Sequence, residues 1–222
     1  MTLIERSLKE CSALWESYLE QSFLKDIRNH VLEESIFIHY LIEDSKYLKD
    51  YARVFGMGIY KSTTMDEITL FYEMLKFVEL NESAVRVKLL KKKGYDVCEI
   101  ERQPQHPITK EYTDYLHQIA QEGELVDMLF VTLPCLVSYA YIGEKLIEEN
   151  PNIIEESPYG SWIEEYTSES YRKKCKKWMK CADRMSECCS EEKKAQLKQC
   201  FLKASELEYT FWEMSYNGKV CG

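Results

Sequence analysis

Three side chains stand out for the chemistry they could do: the thiol of Cys135 and the carboxyls of Asp44 and Glu208. Each falls on a run of otherwise apolar residues at helical spacing. Met128, Thr132, Cys135, Tyr139, Ile142 and Leu146 recur every three or four residues, so they share one face of a helix. Ile36, Tyr40, Asp44, Tyr47, Tyr51, Val54 and Gly58 form a second such face, and Leu197, Phe201, Ala204, Glu208, Phe211 and Ser215 a third. An ionised carboxylate on a buried face is costly unless it is paired or hydrogen-bonded. A single buried acid is more often a structural anchor than a catalyst, and a buried thiol can simply fill space. Two acids and a thiol on separate apolar faces make that plain reading weaker, if the three helices meet.

A pocket built from these groups suits a narrow chemistry. Aromatic residues lie within a turn of each: Tyr40 and Tyr47 beside Asp44, Tyr139 beside Cys135, Phe211 and Trp212 beside Glu208. Flat walls of this kind hold a flat ligand by stacking. A buried carboxylate accepts hydrogen bonds from a ring amine or holds a protonated ring nitrogen. A thiol adds to an electron-poor carbon, and a second carboxylate moves the proton. Serine chemistry is disfavoured because none of His30, His39, His106 or His117 sits in a nucleophile–base pattern. Haem or di-iron chemistry is disfavoured because the Glu-x-x-His pairs of bundle metal sites are absent, so neither metal nor other cofactor is expected.

The elements that must position these residues are all helices. An amphipathic helix carries Ile4, Leu8, Cys11, Trp15 and Tyr18 and is followed by a break at Asn29-His30. Ser35 is expected to cap the Asp44 helix, from whose stripe Glu43, Lys46, Lys49 and Asp50 fall away as solvated residues should. Thr64 and Glu67 form a capping box that opens a helix expected to run through Val85 to Lys93-Gly94. Tyr95 to Pro107 reads as a loop, Thr109 as the cap of a short helix ending near Gly123, and Pro151 to Gly160 as another loop. Pro134 should kink the Cys135 helix. Ser190 should cap the last helix. Cys175, Cys181, Cys188 and Cys189 look metal-like at first, but no histidine is near and Tyr171, Cys175, Trp178, Ala182, Met185 and Cys189 make a packing stripe. We therefore expect one all-α domain over residues 1–222, a compact multi-helix bundle.

The totals agree with that class. The 222 residues are 45% hydrophobic and 30% charged, with only 8 glycines and 5 prolines. A net charge of −9 argues against a general attraction to nucleic acid or anionic lipid. No uninterrupted apolar run reaches the length of a bilayer span, and the N-terminus lacks a signal peptide's apolar core. Nine cysteines without a secretion signal read as reduced thiols, so a cytoplasmic protein is expected.

Four ordered stretches resemble one known family, thiaminase II or the TenA-like proteins. They are Asp44-Ser45-Lys46-Tyr47-Leu48 with Tyr51-Ala52-Arg53; Leu133-Pro134-Cys135 with Tyr139 and Gly143-Glu144-Lys145-Leu146; Trp162-Ile163-Glu164-Glu165-Tyr166; and Glu206 to Met214, containing Phe211-Trp212. The resemblance implies a haem-oxygenase-like fold without haem, usually a homotetramer. It implies hydrolysis of 4-amino-5-aminomethyl-2-methylpyrimidine, and often of thiamin, to the hydroxymethylpyrimidine used in thiamin salvage. In that scheme Cys135 resembles the nucleophile, Glu208 the proton donor to a ring nitrogen, and Tyr47 the hydroxyl that assists the thiol. Asp44 resembles the anchor of the aminopyrimidine edge, Tyr139 and Tyr166 substrate contacts, and Tyr112 and Phe211 stacking walls. The chain departs from the family's pattern at Gln21-Ser22, at Asn29-His30 and at Arg86, where many relatives carry His-Pro, Asp-Gly and histidine. The reading from another class is a non-catalytic binding or regulatory protein on the same scaffold.

Overall fold

The computed structural model describes residues 1–79 and 83–218, and among them twelve helices occur and no strand. Side-chain oxygens start several of these helices. Thr2 caps α1 (Leu3–Tyr18) in a capping box with Glu5, Thr64 caps α4 (Met65–Phe77) in another with Glu67, and Ser190 caps α12 (Glu191–Asn217). The middle of the molecule is α8 (Leu125–Glu149), the helix that carries Cys135. It stays helical on both sides of Pro134, packs most extensively against α12, and also contacts α3 (Glu34–Lys61), α7 (Pro107–Glu122), α10 (Gly160–Thr167) and α11 (Glu169–Ser186). By length and composition alone α8 could cross a membrane, but 89% of its apolar window is buried inside the protein. It is a core helix.

Side chains lock the neighbours of α8 in register. Tyr51 donates to the carbonyl of Thr132 at 2.8 Å, and Tyr171 to that of Leu136 at 3.1 Å, on either side of Cys135. Lys193 bridges the starts of α12 and α8 through Asp127 at 2.6 Å. On α1, Trp15 Nε1 donates to Ser205 Oγ at 3.2 Å and Tyr18 to the Ser205 carbonyl, which pins α12 one turn before Glu208.

Several sequence expectations need correction. Glu33, not Ser35, stands at the N-cap of α3. The helix expected from Thr64 to Lys93 is two helices, α4 and α5 (Ser83–Lys92), and residues 80–82 at their join lie outside the described residues. Gly94 does end α5, with φ +83° and the Gly94→Lys91 and Tyr95→Leu90 backbone bonds of a Schellman motif. A second Schellman motif ends α2 (Ser22–Arg28), where His30 takes the glycine's place at φ +59°. The segments read as loops contain α6 (Val97–Arg102) and α9 (Ile153–Glu156), and α7 is a full helix capped by His106 with Pro107 at its first position, leaving Thr109 buried inside it.

The largest correction concerns α3. Glu43, Lys46 and Asp50 are buried, not solvated. Lys46 Nζ lies 2.7 Å from Glu43 Oε1 and donates to the Pro104 carbonyl at 3.0 Å, while Glu43 Oε2 accepts from the His106 N–H at 3.0 Å and from Thr109 Oγ1 at 2.8 Å. Gln105 Nε2 donates to Asp50 Oδ2 at 2.8 Å and Lys49 Nζ to the Glu101 carbonyl at 2.7 Å. The chain from 101 to 109 is thereby strapped along one side of α3.

Candidate active site

The three helices with anomalous groups do meet. Asp44 and Tyr47 come from α3, Tyr112 from α7, Cys135 and Tyr139 from α8, Tyr166 from α10, and Glu208 and Phe211 from α12, and all eight side chains are buried. Tyr47 joins the first group of walls, its ring centroid 4.9 Å from Tyr112 and 5.8 Å from Phe211. Tyr139 joins the second, 4.7 Å from Tyr166 and 5.1 Å from Trp212. Tyr40 links the two groups, 6.3 Å from Phe211 and stacked 5.6 Å from Trp212.

Electrostatics places the charges within this box. Burial pushes the Tyr47 hydroxyl far above the usual phenol range, and the nearness of Cys135 raises it further, with smaller effects from Tyr112, Tyr51 and Glu208. Tyr112 is raised by burial, then by Glu208 and Cys135. Tyr139 is raised by burial, then by Tyr40, Glu208, Asp44 and Cys135. These hydroxyls stay protonated at neutral pH and serve as donors, not bases. The Tyr47 and Tyr112 hydroxyls lie close enough for Tyr47 to ease the ionisation of Tyr112, yet neither makes a hydrogen bond of good geometry within the described residues. Leaving a buried hydroxyl unsatisfied costs about 1–3 kcal/mol, which a polar ligand or water in the box would recover.

Asp44 occupies the other end, near Tyr40 and Tyr139. Burial raises its pKa to about 6 even though Arg86, with Nη1 3.5 Å from Oδ2, pulls the other way. Two further residues shape this end. Trp162 Nε1 donates to the Tyr40 hydroxyl at 3.2 Å, and that hydroxyl donates to Tyr139 at 3.4 Å. Gly143 lets α10 approach, since a Cβ there would sit 2.6 Å from Thr167 Cγ2, and this brings Tyr166 onto Tyr139.

Arg86, met in the sequence only as a departure from the family's pattern, is the charged neighbour of Asp44. Of the second cysteine group, Cys175 packs at the α8 contact, 3.8 Å from the Leu136 carbonyl, while Cys181 and Cys189 are half-buried and Cys188 is exposed. A surface groove of about 500 Å³ between α1, α8 and α11, lined by Leu8, Trp15, Val137, Tyr141 and Met179, contains none of the eight site residues.

The model of the TENA/THI-4/PQQC family matches residues 8–218. The chain belongs to that family. A protein of Halalkalibacterium halodurans named aminopyrimidine aminohydrolase is 31% identical over 212 residues, covering 96% of this chain and 94% of the relative. A TenA homologue from P. horikoshii superposes with a TM-score of 0.86 at 21% identity over 97% of this chain and 99% of its own. A protein from Shewanella denitrificans described as having a heme oxygenase-like fold gives 0.71 at 15% identity over 96% of this chain and 91% of its own. The fold is thus the all-helical, haem-oxygenase-like one.

Proposed function

We propose that this chain hydrolyses 4-amino-5-aminomethyl-2-methylpyrimidine, and thiamin with it, to 4-amino-5-hydroxymethyl-2-methylpyrimidine, a salvage step for thiamin. The observation that carries this is the meeting of Cys135, Glu208 and Asp44 in one aromatic box. A binder has a use for Asp44 and the walls but none for a nucleophile. The name of the H. halodurans relative supports the substrate class.

In this scheme Asp44 holds the ring's amino edge while Tyr47, Tyr112, Tyr139, Tyr166 and Phe211 hold its faces and rim. The Cys135 sulfur adds to an electron-poor ring carbon, and Glu208 delivers a proton to a ring nitrogen, so the adduct is neutral. The ring electrons then expel ammonia, or the thiazole of thiamin, from the exocyclic methylene. Water adds its oxygen to that methylene and gives up one proton to solvent, replacing the proton that the amine carries off as ammonia; the sulfur then leaves and Glu208 recovers its proton from the ring nitrogen. One C–N bond breaks and one C–O bond forms, and the thiol is regenerated. The protonated Tyr47 donates to the sulfur as its charge returns on departure. The same reading has the protein acting in the cytoplasm as a homotetramer, a mass that light scattering reads directly.

The test is product release from the aminomethylpyrimidine and from thiamin by wild type and Cys135→Ser. Wild type should liberate the hydroxymethylpyrimidine, and the variant should lose roughly a thousandfold or more in rate while still binding it. Wild type that binds the pyrimidine but releases nothing makes the protein a binder instead.

A further inference from the structure

Arg86 reaches the site from α5, a helix that carries none of the eight residues above. Its side chain is 5% exposed, its Nη1 lies 3.5 Å from Asp44 Oδ2, and the same nitrogen donates to the Asp44 backbone carbonyl at 3.2 Å. A guanidinium held by both the side chain and the backbone of one residue has little freedom to move away. It is the charged group that acts on the Asp44 carboxyl. The titratable neighbours are hydroxyls: Tyr40 on α3 and Tyr139 on α8, with Tyr166 of α10 hydrogen-bonding at Tyr40.

These contacts determine what Asp44 can offer a ring. A carboxylate only accepts hydrogen bonds, whereas the protonated acid donates one and accepts another. An amino group beside a basic ring nitrogen, a cyclic amidine, presents one donor and one acceptor when neutral and two donors once protonated. A fixed guanidinium against the carboxyl favours the ionised form, and therefore the ring with two donors.

We propose that Arg86 is a positioning residue that keeps Asp44 a double acceptor, so that the site takes cyclic amidines with the shared proton on the ring and rejects rings bearing an oxo group in place of the amine. The oxo oxygen would face the carboxylate with no proton between them. This rests on the proposed function, because it takes Asp44 as the group that meets the ring edge. Arg86 touches no reacting atom.

Infrared difference spectra read the carboxyl directly, with the Asp44 band assigned by its loss in Asp44→Asn. In the ligand-free protein, Arg86→Met should move the Asp44 titration upward by a unit or more, and Arg86→Lys should return it towards wild type. In the wild-type complex with the hydroxymethylpyrimidine at pH 8, Asp44 should show carboxylate bands only. Calorimetry with that probe and its 4-oxo analogue from pH 5 to 9 should show the alkaline loss of affinity shifted to higher pH in Arg86→Met. The amino-over-oxo preference should shrink tenfold or more. A protonated Asp44 in the wild-type complex overturns the inference even if no Arg86 variant folds. So does an unmoved titration in a folded Arg86→Met. Failure of wild type to bind the probe overturns the proposed function instead, and the ligand-free titration still tells whether Arg86 governs Asp44.

Discussion

Glu43 and Asp44 are consecutive residues of α3, both buried, and their surroundings differ in kind. Glu43 faces the strap of residues 104–109, where Lys46 lies 2.7 Å away and the His106 N–H and Thr109 hydroxyl fill its other oxygen. Burial would raise its pKa, but the bonds from Lys46, His106 and Thr109 outweigh burial and hold it below the usual carboxylate range. Asp44 faces aromatic rings and one guanidinium, and there burial wins, raising it to about 6. One carboxylate is satisfied by the protein. The other is held in reserve at a cost in stability, as expected of a group that a ligand is meant to complete.

The largest effect should come from the satisfied side. Glu43→Gln leaves the Lys46 ammonium buried without its counter-charge, and removing one partner of a buried pair costs about 3–5 kcal/mol. Urea unfolding at pH 7 reads this. The pH dependence has a definite sign: a depressed carboxyl contributes stability above its unfolded pKa of about 4.3, lost as pH falls through the folded value. Glu43→Gln should therefore look worst near neutrality. Adding Lys46→Met should recover most of the loss, since a matched apolar pair is close to neutral.

Asp44→Asn should do the opposite. A raised pKa means that stability is present below the unfolded value of about 3.9 and lost as pH rises through about 6. Asparagine mimics the protonated acid, so the variant should be more stable at pH 7 by up to roughly 3 kcal/mol, two units at 1.36 kcal/mol each. The gain should vanish by pH 4, and binding of the hydroxymethylpyrimidine should fail at every pH. If both variants lose stability at pH 7, the distinction between the two sides of α3 is wrong.

That distinction was only half legible in the sequence. Asp44, Cys135 and Glu208 betrayed themselves because a single polar group interrupts an apolar stripe, and the stripe is a local property of one helix. Glu43, Lys46 and Asp50 read as solvated because charges off the stripe normally are. What buries them is a return of the chain about sixty residues later, a tertiary event with no local trace. The same reason left Arg86 a mere departure from the family's pattern, since its significance lies in the residue it meets. Ser35 and Thr109 misled because a hydroxyl near a helix start resembles a cap wherever the helix begins, and His106-Pro107 took the role instead.

A smaller change probes the aromatic end of the site. Gly143→Ala would place a methyl 2.6 Å from Thr167 Cγ2, forcing α10 away from α8. Overpacking of this size costs about 1–3 kcal/mol, and Tyr166 should leave its place 4.7 Å from Tyr139. Affinity for the pyrimidine should drop several-fold, while the Glu43 side of α3 is untouched. Adding Thr167→Ser removes the offending methyl, keeps the hydroxyl that donates to the Ile163 carbonyl at 2.9 Å, and should restore both stability and binding. A double variant no better than Gly143→Ala would mean that contact at Gly143 does not set the position of Tyr166.

The smallest effect belongs to a corner that feeds both sides of α3 equally. His30 ends α2 with φ +59°, and its N–H bonds to Ile27 at 3.1 Å while Val31 bonds to Asp26 at 2.9 Å. Gly94 fills the same position of the same motif after α5. A side chain in this left-handed conformation costs about 1–2 kcal/mol, part of which glycine gives back through its freer unfolded state. His30→Gly should therefore stabilise by about 1 kcal/mol net, a rise of roughly 2–4 °C in Tm for a chain of this size. The Asp44 infrared titration and the unfolding penalty of Glu43→Gln should be unchanged in the His30→Gly background, because the corner sets where α3 begins and neither of its faces. A shift in one and not the other would show that the turn is coupled to the site, and that the two carboxylates differ by more than their immediate partners.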